Sequence, residues 1–181
     1  FTSIIKINTE TDFAAKNETF LNFMDEIGSF VLSAEKPNLS LEDFKEMKFN
    51  GFTINDLFKN IIAKIGENIV LSKLISVKND KNSFISSYIH NSYRKNIGKI
   101  AVILKASVDN LNDDAKIFSK NICMHIAASK PIAYDIDQLD SELIKKEKIL
   151  QIETIKASGK PDNIIDKIVE GKMNKFYSES M

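Results

Sequence analysis

Two histidines, one cysteine and a close pair of carboxylates are the residues here whose types suit acid–base, nucleophilic or metal chemistry. Cys123 and His125 lie two apart in a stretch of helical pattern, which points them in different directions and rules out a locally built nucleophile and base. A buried thiol is the favoured reading of Cys123. His90 and His125 have no cysteine or histidine at ligand spacing, so no metal site is expected. Glu10 and Asp12 form a candidate carboxylate pair, but no apolar pocket or pKa-raising partner is identifiable around them. The chain has no GxxxxGK[ST] loop and no GxGxxG turn, and its 6 glycines are scattered, so it is not expected to bind nucleotide itself. These residues predict a protein that is not an enzyme, carries no cofactor and acts by binding.

Composition narrows the partner. With 181 residues and 43% hydrophobic content the chain can bury a real core, in one or two compact units. Its 25 basic and 25 acidic residues cancel, so no large single-sign field draws it to nucleic acid or anionic lipid. Direct nucleic-acid and membrane partners are therefore disfavoured, and no apolar run approaches the roughly 20 residues that cross a bilayer. A single cysteine excludes an internal disulfide framework and fits a reducing compartment. The chain starts at Phe1, with neither an initiator methionine nor a signal-peptide layout, and is read as a fragment. Heavy use of Asn, Lys and Ile reflects the source genome more than any structural demand.

The elements that position these residues follow from periodicity. Phe1 to Asn8, with Ile4, Ile5 and Ile7, reads as a short strand. After a polar loop, Phe20, Phe23, Met24, Ile27 and Val31 recur at helical steps, with Asn17 as N-cap. A short helix is expected from Ser40 to Met47. Thr53 and Asp56 stand at capping-box spacing ahead of Ile54, Leu57, Phe58, Ile61, Ile62 and Ile65, and Gly66 ends that helix. Ile69 to Val77 and Phe84 to Ile89 are β-branched runs joined by Lys78 to Asn82, which has the chemistry of a hairpin loop. A third strand, Ile97 to Leu104, follows the polar loop Asn91 to Asn96. Another helix places Ala115, Phe118, Ile122 and Ile126 on one side and stops before Pro131.

Ile4 to Pro37 and Ile100 to Pro131 each run strand, polar loop, amphipathic helix, then Lys-Pro, which suggests a duplicated module with a helix on a small antiparallel sheet. From Ile136 to Tyr177 the pattern is helical and charged, broken at Ser158-Gly159-Lys160-Pro161. It reads as an antiparallel helical hairpin using Leu139, Leu143, Leu150, Ile165, Val169 and Phe176, projecting as a coiled-coil arm. Phe13 stands apart, in the polar connection Thr9 to Asn17. An aromatic there either tucks under the following helix or faces a partner, and on composition alone the tucked ring is favoured.

The run Thr-Asp-Phe-Ala-Ala-Lys-Asn at 11–17 resembles the Thr-Asp-Phe-Val-Ala-Lys-Asn signature of the elongation factor Ts family. Further segments resemble that family in the same order: Ala63 to Ile69, Tyr88 to His90, Ile97 to Ile100, Met124 to Pro131, Ser158 to Pro161 and Val169 to Met173. The resemblance implies a guanine-nucleotide exchange factor for elongation factor Tu, with two related core subdomains and a coiled-coil hairpin. It reverses the reading of Phe13, which it implies is wedged into the partner GTPase near its magnesium, with Thr11, Asp12 and Ala14 bracing it. It also implies partner contacts at Ile65, Gly66 and His90; as plain residues Gly66 would be an ordinary helix stop and His90 an ordinary surface histidine. Members usually also have an N-terminal helical domain and a final core strand after the hairpin; by the resemblance this chain lacks both. The loop 91–96 lacks the glycines common in the family, which leaves the pose of His90 open.

The expected fold is α+β: a duplicated core of small antiparallel sheets with packed helices, plus a helical hairpin arm. The expected division is 1–82 first core subdomain, 83–135 second core subdomain and 136–181 arm. A competing class is a structural protein whose hairpin mediates oligomerisation, and self-association stays open. The expected location is a bacterial cytoplasm or an organelle matrix.

Overall fold

The computed structural model describes residues 1–159 and 161–181. Their fold is α+β, and they divide into two compact units, Phe1–Ala127 and Ala128–Met181.

In the first unit, strand β1 (Thr2–Thr9) pairs antiparallel with β4 (Ile69–Val77), from Thr2 opposite Val77 to Thr9 opposite Ile69. Between them run the single turn α1 (Asp12–Ala15), α2 (Glu18–Ser33), α3 (Leu41–Glu46), the two-residue strands β2 (Lys48–Phe49) and β3 (Phe52–Thr53), and α4 (Ile54–Ile65). The helices start and stop where local chemistry dictates. The Asn17 side chain accepts the Thr19 N–H at 2.8 Å, and Ser40 accepts that of Asp43 at 3.0 Å. Thr53 accepts the Asp56 N–H at 3.1 Å while its hydroxyl donates to the Asp56 carboxylate at 2.8 Å, joining the side chains of the expected cap. Gly66, at φ 80°, turns the chain out of α4 and returns its N–H to the Ile62 carbonyl at 2.8 Å.

α2 puts Phe20, Phe23, Ile27 and Val31 into a core shared with Phe44, Ile54, Phe58 and Ile61 and with Ile69 and Leu71 of β4. Phe23 meets Phe58 edge-on with centroids 5.0 Å apart. Phe44 and Ile54 are fully enclosed, so truncating Phe44 to Ala should cost about 3–5 kcal/mol.

β5 (Ser83–Arg94) pairs antiparallel with β6 (Ile97–Ser107), and α5 (Asp113–Ser129) covers that ribbon through Cys123, Ala127 and Ile126 against Tyr88, Ile100, Val102 and Leu104. Each ribbon thus carries a helix that follows its own strand, as the internal similarity anticipates. Cys123 is buried, as expected of a thiol facing the core.

Three local expectations need correction. β4 and β5 do not form a hairpin: β4 is paired with β1 and β5 with β6. The polar loop 78–82 carries the chain between two ribbons, with the Asp80 N–H donated to the Ser83 hydroxyl at 2.8 Å and Lys105 paired to its carboxylate. Turn chemistry reports that the chain reverses, not which strands then pair. Residues 91–94 are not loop but strand, with Ser92 opposite Gly98, a bulge before Arg94, and Asn91 and Asn96 taking positive φ of 49° and 65°. Asparagine tolerates that region, which lets the ribbon bend without glycine. Finally, α5 turns Ser119, Cys123 and Ala127 inward with Ile126 beside them and leaves Phe118 exposed: the stripe that meets the ribbon is set by positions 119, 123, 126 and 127, about 100° round the helix from position 118.

In the second unit a 3-10 turn at Ile136–Gln138 leads into α6 (Ser141–Ala157), which packs along α7 (Asp162–Ser180). The seam is Ile155, Ile165, Val169 and Met173, flanked by Ile144, Ile152, Phe176 and Tyr177. Leu150, expected on it, is exposed, since Ile152 and Ile155 already hold the apolar stripe of α6. Gly159, at φ 70°, ends α6, while Lys160 of the predicted break lies outside the described residues. The Ser180 carbonyl accepts N–H groups from Ile132 and Ala133, tying the start of this unit to its last helix. Among the described residues no helix is long and apolar enough to cross a membrane.

Candidate partner-binding site

The candidate site is built on the short connection between β1 and α2. Thr11 caps the four-residue turn α1, accepting the Ala14 N–H on its hydroxyl at 3.2 Å. Ala14 is buried, anchoring the turn from beneath, while Phe13 points outward and is 88% exposed. The packed ring favoured on composition alone is therefore not what forms. An aromatic so displayed has little to gain from its own fold, since its apolar area stays in water.

The turn is held from two sides. Glu67, directly after Gly66, accepts the Thr11 N–H at 3.1 Å and the Thr11 hydroxyl at 2.8 and 3.0 Å. The Thr9 hydroxyl donates to the Thr11 carbonyl at 3.0 Å. On the other side Asp12 faces Lys99 of β6 at 3.5 Å, and the Lys16 ammonium lies 6.0 Å from the Tyr93 ring of β5. Arg94 then ties the ribbon tip to α2, donating to Asn22 at 2.7 Å and Asp25 at 2.9 Å and pairing with Glu18.

Thr11, Asp12, Phe13 and Ala14 are thus one turn, and the carboxylate of Glu67 connects that turn to the half-buried Ile65 and exposed Gly66. His90 is exposed on β5 opposite Ile100, with the Tyr88 hydroxyl 3.1 Å from its Nδ1. Its link to the turn is indirect, through β6, where Lys99 precedes Ile100. Gly98 lets the strands close beneath it: a Cβ there would stand 2.5 Å from the Ile89 side chain and 3.0 Å from the His90 carbonyl oxygen.

Glu67, Lys99 and Arg94 were not singled out from the sequence. Glu67 and Lys99 do fall inside segments matched to the family signature, but each acts across a long sequence separation, such as 56 residues for Thr11 and Glu67. Nothing local marks such a partner. Among the described residues, no three His, Cys, Asp or Glu side chains group as a metal site.

A small-sheet α+β core with an aromatic on a braced turn, together with a separate helical pair, is the class of molecule the fold defines. The family model described as Elongation factor TS matches residues 10–181, and the chain belongs to that family. The proteins named Elongation factor Ts from Gluconobacter oxydans and Rickettsia bellii are 34% and 36% identical to it over 98% and 97% of its length. That from Rhodospirillum rubrum is 34% identical over 98%. The chain spans 58%, 56% and 57% of those three relatives.

Proposed function

We propose that this chain is a guanine-nucleotide exchange factor that binds elongation factor Tu and promotes GDP release by inserting its Thr-Asp-Phe turn near the partner's magnesium. The observation that carries this reading is Phe13, 88% exposed on a turn capped by Thr11 and anchored by Ala14, in a chain of the elongation factor Ts family. Phe13 is the wedge, Thr11, Asp12 and Ala14 hold it, and Ile65, Gly66 and His90 make further contacts with the same partner. In this reading 1–82 and 83–135 are the two core subdomains, 136–181 is the arm, and the protein works in a bacterial cytoplasm or an organelle matrix.

The energetics require no chemistry by this chain. A factor that binds nucleotide-free Tu more tightly than the GDP complex must, by linkage, weaken GDP binding by the same ratio. An aromatic pushed into a packed interface can do this because such interfaces switch between discrete packings rather than deforming continuously. Displaced magnesium then ceases to neutralise the phosphates. Release of a fluorescent GDP analogue from elongation factor Tu, with and without the chain, tests the proposal: acceleration supports it, and an unchanged rate at saturating chain refutes it.

A second reading, self-association through the helical pair, draws on Ile149 and Leu150, which are 55% and 54% exposed on α6. Light scattering separates it: a concentration-dependent dimer without accelerated release favours this alternative.

A further inference from the structure

We propose that Glu67 is the positioning residue of the wedge, an inference that rests on the exchange reading above. The turn itself is weak. A four-residue helix lies within the costly nucleation step and has no stability of its own. Phe13, at 88% exposure, contributes almost no packing to hold it. What fixes the wedge direction must therefore be the flanks, Ala14 below and Thr11 at the cap.

Thr11 is held by Glu67 through both of its donors. Its N–H reaches one carboxylate oxygen at 3.1 Å and its hydroxyl reaches the two oxygens at 2.8 and 3.0 Å. The same hydroxyl accepts the Ala14 N–H, so the carboxylate orients the proton that frees the hydroxyl lone pair for the cap. The placement is not accidental in register. Backbone pairing of β1 with β4 stops at Thr9 opposite Ile69; continuing that register by two residues on each side sets Thr11 against Glu67, the two residues that the hydrogen bonds join. The carboxylate continues the ladder by side chain where the backbone has diverged. Gly66 makes this geometry available, because its positive φ turns the chain out of α4 immediately before Glu67. One carboxylate thereby joins the Phe13 turn to the Ile65–Gly66 contact, so both faces are presented to the partner as one rigid surface.

The test uses the full chain with elongation factor Tu and a fluorescent GDP analogue, in variants Glu67→Ala, Glu67→Gln, Thr11→Val and Glu67→Ala/Thr11→Val. If the unstapled turn is wedge-ready about one-tenth of the time, apparent affinity falls by that fraction, and half-saturation rises about tenfold in Glu67→Ala and in Thr11→Val. The plateau rate falls far less than it does in Phe13→Ala. Glu67→Gln, whose amide oxygen still accepts one bond, lies between wild type and Glu67→Ala, and the double variant falls clearly short of the sum of the single effects, because both singles remove the hydroxyl–carboxylate link, whereas only Glu67→Ala loses the Thr11 N–H bond and only Thr11→Val loses the Ala14 cap. Wild-type exchange with unchanged half-saturation in Glu67→Ala, or additive single effects, overturns the proposal.

Deuterium exchange at the Thr11 and Ala14 amides of the free chain reads the same staple without the partner. About tenfold faster exchange at both in Glu67→Ala, with α4 protection unchanged, is expected even if the chain proves inactive on Tu. Unchanged protection sinks the positioning role and leaves the exchange reading standing.

Discussion

Replacing Phe13 with Ala should separate folding from function, and the structure sets the size of both effects. A fully buried phenylalanine removes about 150–250 Å² from water, so a ring 88% exposed forgoes roughly 25 Å² on truncation, worth about 0.6 kcal/mol. Alanine recovers part of that through its better helix propensity, about 0.5 kcal/mol. The net change is close to zero, and the melting temperature should move by less than about 4 °C. Phe44→Ala is the control for a ring that does hold the core: at 0% exposure it should lose about 3–5 kcal/mol. Docked into a partner, the Phe13 ring would be desolvated, and truncating such a central aromatic anchor costs about 2–4 kcal/mol. That corresponds to about 30- to 1000-fold less acceleration of GDP release. Stopped-flow release of a fluorescent GDP analogue from elongation factor Tu, beside thermal melts of the same preparations, measures both quantities. A Phe13→Ala chain that melts like wild type and still accelerates release fully would refute the role of the ring as wedge. A large drop in melting temperature would refute the assignment of the ring to the surface.

Two further outcomes follow from the frame around the site. Gly98→Ala places a methyl against the His90 and Asn91 carbonyl oxygens at 3.0 and 3.1 Å as well as against Ile89, and should destabilise the β5–β6 ribbon by about 1–3 kcal/mol, seen as lost amide protection at 88–92. Protection equal to wild type would show that the strands have slack there. The Asp56 carboxylate is held below the usual carboxylate range by its hydrogen bond from Lys59 and then by that from Thr53. Because the folded value lies below the unfolded one of about 3.9, this contribution is fully present above that pH and is lost as pH falls through the lowered value. Acid unfolding followed by circular dichroism should therefore be shallower in Asp56→Asn, which also starts less stable at neutral pH. Superimposable acid profiles would contradict the assignment.

What was legible in the sequence was local. Asn17, Ser40, Thr53 and Gly66 act within a few residues of themselves, so their helix boundaries could be read from types and spacing. The α2 stripe was equally readable, since Phe20, Phe23, Ile27 and Val31 all face one core. Strand partnership was not, because β1 joins β4 across the whole first module and nothing in loop 78–82 encodes that choice. Phe118 and Leu150 misled for a related reason. An apolar residue at helical spacing announces a face, but whether a neighbour covers that face depends on which stripe of the helix meets the sheet or on the register of the other helix. At the candidate site, composition alone favoured a tucked Phe13, and only the family resemblance pointed it outward. The brace by Glu67 came from neither source, since it needs the ladder register and the Gly66 turn together.

The central claim, that the Phe13 ring leaves water for the interior of a partner, can be read at the ring itself. The chain contains no tryptophan, so Phe13→Trp carrying 5-fluorotryptophan gives one fluorine resonance against a silent background when unlabelled elongation factor Tu is added. If the ring is the wedge, the free chain gives a solvent-exposed, narrow signal that shifts, broadens and loses its solvent isotope effect with nucleotide-free Tu, and that returns when GDP and magnesium are restored. A resonance that keeps its free-chain position and solvent sensitivity in a demonstrated complex would contradict that role.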